Sequence, residues 1–209
     1  MTPKFSIQIT TQNRLKELNF TLQKVVHLLN RSDVECRIYD DASTDDTSTF
    51  IKKNYPNIIL SRNEKPLGLI YCRNKMLNAT QAQYAISIDD DLHFISQNPL
   101  ENIEKYFEEN PKVAVLSFRI FWNKNEPEST QTNQKPQRQK SFAGGANVWN
   151  INHWNKIPNY PDWFFFYGEE DFASYQLLKK GYEVHYFPEV LVNHRVDLKS
   201  RKNNKRFIK

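Results

Sequence analysis

Three consecutive aspartates, Asp89, Asp90 and Asp91, follow the apolar run Tyr84-Ala85-Ile86-Ser87-Ile88. The run reads as a buried strand with the carboxylates at its C-terminal end. Adjacent like charges repel unless something cationic lies between them. Carboxylates at the end of an α/β strand are placed to hold a divalent metal, and the metal can hold a phosphate. A turn or cap ahead of Pro99 is the plainer reading, but it does not explain why the charges gather where a buried strand stops.

Two other acidic groups stand in comparable places. Asp40-Asp41 closes the run Val34 to Tyr39, and Ser43-Thr44-Asp45-Asp46 follows as a helix start. Capping accounts for Ser43 to Asp46 with no ligand. A carboxylate at the strand end can instead accept a hydrogen bond from a nucleobase N–H or a ribose hydroxyl. Glu169-Glu170-Asp171 sits at a second helix start, where the helix dipole alone favours acid. Gly168 precedes it and the aromatic block Trp163 to Tyr167 lies beside it, and a carboxylate among aromatics gains proton affinity and can act as a general base. His194 is a lone histidine after a strand; it becomes a ligand only if the fold brings it to the aspartate cluster. Gly144-Gly145 is either a β-bulge or a place where a ligand comes close to the backbone.

These residues need elements to position them. Phe5 to Thr10 reads as a first strand, and Arg14 to Leu29 places Leu15, Leu18, Leu22, Val25, Val26 and Leu29 at helical spacing. Val34 to Tyr39 is a second strand, Thr47 to Asn54 a helix, and Ile58 to Leu60 a short strand. Leu69 to Asn78 is a helix leading to the strand that ends in the aspartates. Pro99 opens a helix through Glu109, and Val113 to Phe121 is the next strand. A helix over Phe172 to Lys180, stopped by Gly181, precedes closing strands at Tyr182 to Phe187 and Val190 to Asn193. Strands alternating with helices predict an α/β fold with a mixed, mostly parallel central sheet flanked by helices. In such a sheet ligands bind beyond the carboxyl ends of the strands, where Thr10, Asp41 and the Asp89 cluster all fall.

Composition fits a single soluble domain. The chain has 209 residues, 39% hydrophobic and 13% aromatic, which excludes a disordered chain. Cys36 and Cys72 form no metal or redox motif and read as free thiols of a reducing compartment. Neither a signal peptide nor an apolar run of transmembrane length is evident, so a cytoplasmic protein, at most peripheral at the inner face of a membrane, is expected. The net charge of +5 is concentrated at the end: Arg195, Lys199, Arg201, Lys202, Lys205, Arg206 and Lys209 stand against Asp197. The tail 196–209 is either a solvated end or a contact for an anionic membrane surface. No nucleic acid is expected, since no aromatic or glycine pattern for base stacking accompanies the charge. Asn123 to Lys140 is nearly devoid of apolar residues and reads as a surface loop, either an insertion or a lid.

In order, the chain offers Phe5-Ser6-Ile7-Gln8-Ile9-Thr10-Thr11-Gln12-Asn13, Tyr39-Asp40-Asp41-Ala42-Ser43-Thr44-Asp45-Asp46-Thr47, Gly68 with Cys72-Arg73-Asn74, Ile88-Asp89-Asp90-Asp91, Phe142-Ala143-Gly144-Gly145, Gly168-Glu169-Glu170-Asp171 and Val192-Asn193-His194. Each piece is weak, but the order is specific, and from Phe5 to His194 the chain resembles the inverting glycosyltransferases of family 2, which have the GT-A fold. The resemblance implies one catalytic domain over 1–195, with 1–95 binding a nucleotide sugar, expected to be a UDP-sugar, and 96–195 binding the acceptor. It implies that Thr10, Gln12, Asp41, Arg73, Asp89 and Asp90 bind the donor, and that Asp89, Asp91 and His194 hold manganese or magnesium. Asp171 resembles the catalytic base, with Glu170 beside it, and Gly144, Gly145 and Trp163 fall on the acceptor side. The implied acceptor is a glycan, a lipid-linked sugar or a protein, and the implied setting is surface-glycan assembly. Two departures stand out: Gln12 replaces a common aromatic, and Asp90 shifts the possible register of the acidic motif by one. A nucleotidyltransferase would carry a glycine-rich loop after the first strand, which Thr10-Thr11-Gln12-Asn13-Arg14 lacks. A non-catalytic binding module would use the acids near Asp171 only as helix caps.

Overall fold

Phe5, Ile7 and Ile9 are wholly buried, and so are Ser6 and Gln8 on the other face of the same strand. Burial on both faces marks a central parallel strand rather than a half-exposed one. This strand, β1 (Phe5–Thr11), is followed by α1 (Leu15–Leu29), β2 (Val34–Asp40), α2 (Thr47–Asn54), β3 (Ile59–Arg62), α3 (Leu69–Ala79) and β4 (Tyr84–Asp89). The computed structural model describes residues 2–164 and 168–196. Its second half contains β5 (Leu92–Phe94), α4 (Pro99–Glu109), β6 (Val113–Trp122), β7 (Gln137–Gln139), β8 (Ala146–Asn150), α5 (Ile151–Trp154), α6 (Glu169–Lys179) and β9 (Glu183–His194).

The strands form one mixed sheet in the order β3-β2-β1-β4-β8-β6-β9-β5, with β7 paired to β9. β1, β2, β3, β4, β6 and β9 run one way, and β5, β7 and β8 the other. The helix-connected first half is therefore parallel, and β8 reverses direction between β4 and β6. One apolar core joins Leu18, Leu22 and Val25 of α1 to β1 and β4. A second gathers Trp149, Trp154 and Tyr160 with Ala173 and Leu177 of α6. Tyr160 is tied to α3 through Asn74, whose amide donates to the Tyr160 carbonyl at 2.8 Å and accepts from its N–H at 3.1 Å. That pairing fixes the helix turn carrying Arg73.

Several elements differ from the sequence expectation. The two closing strands are one continuous β9. Its register against β6 jumps between Phe118↔Phe187 and Arg119↔Leu191, and the surplus residues include Pro188, which cannot donate to a ladder and is tolerated at a bulge. Helix α6 starts at Glu169 instead of Phe172. Gly168, at φ 101°, turns the chain, so Glu169, Glu170 and Asp171 form the first helical turn. β5, α5 and the three-residue β7 within 123–140 are too short to leave a periodic signal. Among the described residues no helix is long and apolar enough to cross a membrane. The basic tail beyond Val196 and the aromatic residues 165–167 lie outside the described residues.

Candidate active site

The strand ends collect the acids. β4 stops at Asp89, Asp90 and Asp91 form the turn into β5, and β5 pairs with β9 so that Leu92 faces His194. The turn separates the three carboxylates. Asp90 turns toward α1, accepting from Arg14 Nε and from Thr11 Oγ1, each at 2.8 Å, while its carbonyl accepts from Thr21 Oγ1 at 2.7 Å. Burial drives the Asp90 carboxyl up to about 6, with Arg14 and Thr11 opposing the rise. Asp89 and Asp91 both approach His194. Arg73 Nη2 donates to Asp89 Oδ1 at 3.0 Å, and Arg14 Nη2 to Asp91 Oδ2 at 2.6 Å.

Each of these two acids therefore has one oxygen on an arginine and one turned to His194. His194 Nε2 is 2.9 Å from Asp91 Oδ1 and 3.8 Å from Asp89 Oδ2. Ligand atoms of Asp89, Asp91 and His194 all lie within 4.8 Å of one another. Burial works to raise the Asp91 carboxyl, but the hydrogen bond and charge of His194, with Arg14, hold it below the usual carboxylate range. It is thus ready to ligate without first losing a proton. The repulsion within the triplet is answered in part by Arg14 and Arg73. Two oxygens and one imidazole nitrogen make a hard donor set with one borderline member, which fits manganese somewhat better than magnesium.

Gly144 and Gly145, just before β8, lie against this group. Neither is in the left-handed region; what they supply is space. A Cβ at Gly145 would overlap the Asp89 carboxylate, and one at Gly144 would overlap Glu170 Oε1 and Arg73 Nη1. Gly145→Ala should displace Asp89 and weaken Mn2+ binding roughly 10- to 100-fold with little change in melting temperature; titration calorimetry with Mn2+ and a thermal melt check both parts.

On the far side of the glycines stands the first turn of α6. Glu169 is buried, with Oε1 3.3 Å from Arg73 Nη1 and Oε2 lacking a partner among the described residues. Glu170 is half-buried; burial, reinforced by the Glu169 carboxylate, pushes its carboxyl up to about 7. Asp171 is exposed at the same opening. Arg73 bridges the two acidic corners, holding Asp89 with one nitrogen and Glu169 with the other. The corners meet in a cavity of about 430 Å³, with Arg73, Asp89, Gly144, Gly145, Glu170 and His194 on its polar side. Leu69, Ile70, Ile120, Trp122 and Phe142 form its apolar wall.

Thr10, Gln12 and Asp41 stand at the ends of β1 and β2 and are not among the residues lining this cavity. Thr10 is in register with Asp89, and its buried hydroxyl has no partner among the described residues. Gln12 Nε2 donates to the Asp41 carbonyl at 2.9 Å. The Asp41 carboxylate accepts from Asn63 Nδ2, Leu67 N and Gly68 N at 2.7, 2.8 and 2.9 Å. The Cys72 thiol is hydrogen-bonded to the same carboxylate. Because Asp41 also organises the 63–68 turn, Asp41→Ala should cost about 2–3 kcal/mol of unfolding free energy by leaving buried donors unpaired, read by urea denaturation. Trp163 is 77% exposed and stacks edge-on against Phe164, away from the cavity wall.

Sequence reasoning missed Arg14, Ile120 and Trp122 as site residues, and gave Glu169 and Phe142 only as members of motifs without a role of their own. Arg14 follows the first strand as an unmatched cation. Trp122 ends an apolar strand at the same edge of the sheet as Asp89, so applying the strand-end rule to β6 would have found it.

Residues 6–175 match the model of glycosyl transferase family 2. No curated protein sequence matches the chain significantly. Among solved structures, GalNAc-T7 with UDP, GalNAc and Mn2+ superposes with a TM-score of 0.75 at 17% identity, over 95% of this chain and 45% of that one. The mannosyltransferase PcManGT from Pyrobaculum calidifontis, with GDP-Man and Mn2+, gives 0.73 at 15%, over 95% and 59%. S. aureus TarS in complex with UDP gives 0.67 at 16%, over 91% and 60%. The chain spans less than two thirds of each of these structures, and the likeness establishes the GT-A fold.

Proposed function

This chain belongs to glycosyl transferase family 2, and we propose that it moves a sugar from a nucleoside-diphosphate sugar to an acceptor hydroxyl with inversion at the anomeric carbon. The observation that carries this reading is the single cavity flanked by the Asp89–Asp91–His194 group on one side and Glu170 on the other. A divalent cation held by Asp89, Asp91 and His194 would supply positive charge to the diphosphate oxygens. Arg73, already on Asp89, adds a fixed cation at the same corner. Thr10, Gln12 and Asp41 receive the nucleoside. A UDP-sugar is the favoured donor on the family resemblance, as is the setting in surface-glycan assembly.

Glu170 takes the proton of the acceptor hydroxyl. As it does so, the acceptor oxygen bonds to the anomeric carbon, and the bond from that carbon to the phosphate oxygen breaks on the opposite face. The electron pair leaves with the diphosphate, so a single displacement needs no covalent intermediate. The family resemblance alone places the base at Asp171. Glu170 is favoured by its proton affinity near neutral pH, which suits a general base, and by its position beside Gly144. Asp171, at the open side, is left to meet the acceptor.

The test is a screen of nucleotide sugars with Mn2+, scoring nucleoside diphosphate release, followed by proton NMR of the product. An anomeric configuration opposite to that of the donor supports the reading, and retention contradicts it.

A further inference from the structure

Arg195 opens the basic run that closes the chain, yet its side chain is 8% exposed and it is not among the residues lining the cavity. A guanidinium taken out of water must find partners for its N–H groups. Here they come from α1 and β5. Nη2 donates to Thr21 Oγ1 at 2.8 Å and to the Glu17 carbonyl at 3.1 Å, and Cζ lies 4.4 Å from the centre of the Phe20 ring. Nη1 donates to His93 Nδ1 at 2.8 Å. An arginine only donates, so His93 carries its proton on Nε2, which faces Glu126 Oε1 at 3.0 Å. Glu126 also accepts from Lys24 of α1 at 2.7 Å.

This network adjoins the metal group, since His194 is the residue before Arg195. The Arg195 N–H donates to the Asp91 carbonyl at 2.9 Å. Thr21 Oγ1, which accepts from Arg195, donates to the Asp90 carbonyl at 2.7 Å. Strand β5 lies at the edge of the sheet, and Leu92↔His194 is the last pair of its three-residue ladder with β9. A short edge ladder opens locally at little cost, and opening this one would part Asp91 from His194. We infer that Arg195 is a positioning residue: it locks the chain after His194 to the turn that carries Asp91, and so sets the spacing of two ligands of the divalent cation. The inference rests on the metal site proposed above. The first cation of the closing basic run then serves the site rather than a surface contact.

The test measures Mn2+ binding by the full chain, with electron paramagnetic resonance counting the free ion, beside unfolding in urea. Arg195→Met keeps the length of the side chain but none of its donors, and should weaken Mn2+ affinity about 10- to 100-fold, the usual loss for a group that orients a ligand. Arg195→Lys retains a charged donor and should recover part of that loss. Ile51→Ala, in the core under α2, should lower stability and leave Mn2+ affinity within about twofold of wild type. A folded Arg195→Met protein that binds Mn2+ as the wild type does overturns the inference and leaves Arg195 a stabilising residue only. So does an equal loss of affinity in Ile51→Ala, because the loss would then report stability. If Arg195→Met does not fold, Arg195→Lys and His93→Phe, which removes the acceptor for Nη1, decide by the same criterion. A wild-type chain that binds no Mn2+ is a separate failure, which removes the metal site on which the inference stands.

Discussion

Glu170→Gln is expected to lower the transfer rate by about 10²- to 10⁴-fold, the usual contribution of a positioned general base, while UDP binding with Mn2+ stays within about twofold. Glutamine keeps the volume beside Gly144 but cannot take a proton. The wild-type rate should also depend on pH in a defined direction. Burial and the Glu169 carboxylate raise the Glu170 carboxyl to about 7, and the base works only when deprotonated. Activity should therefore be low below that value and rise with pH through it, and the rise should be absent from the residual activity of Glu170→Gln. Asp171→Asn should leave the rise in place. If Asp171→Asn removes the pH-dependent limb and Glu170→Gln does not, the base is Asp171.

Asp91→Ala should weaken Mn2+ affinity by about 100-fold or more and lower Mn2+-dependent UDP affinity with it; losing a direct ligand should cost at least what losing an outer-shell partner does. The variant removes the oxygen facing His194 and frees Arg14 from that pair. Asp90→Asn should behave differently. Its side chain serves Arg14 and Thr11 on the α1 side, so its effect falls on stability more than on metal affinity. Calorimetric titrations of the two variants with Mn2+ separate these outcomes, and equal losses would contradict the division of the triplet.

That division was only partly legible in the sequence. The strand that ends in aspartates, and the placement of Thr10 and Asp41 at neighbouring strand ends, follow from local patterns: a buried apolar run and a break in it. Which way each aspartate faces does not, because a two-residue turn between β4 and β5 decides it, and β5 is too short to show periodicity. The approach of His194 to that turn depends on β9 crossing a bulge at Pro188, a tertiary event with no local signature. The two arginines that share the acids come from the residue ahead of α1 and from α3, outside the local run, so the triplet read as a charge awaiting a cation when part of its compensation is internal. Glu170 and Asp171 were indistinguishable as residues. The start of α6, set by the left-handed Gly168, puts one beside Gly144 and leaves the other at the opening.

The most direct test of the central claim, that one cavity holds the leaving group at Asp89, Asp91 and His194 and takes the proton at Glu170, is nucleoside diphosphate release from a UDP-sugar, measured with and without Mn2+ for the wild type, Asp91→Ala and Glu170→Gln. The account predicts Mn2+-dependent release in the wild type, loss in Asp91→Ala through weakened metal and donor binding, and loss in Glu170→Gln with donor binding intact. Release that is independent of Mn2+, or that survives at the wild-type rate in both variants, would contradict it.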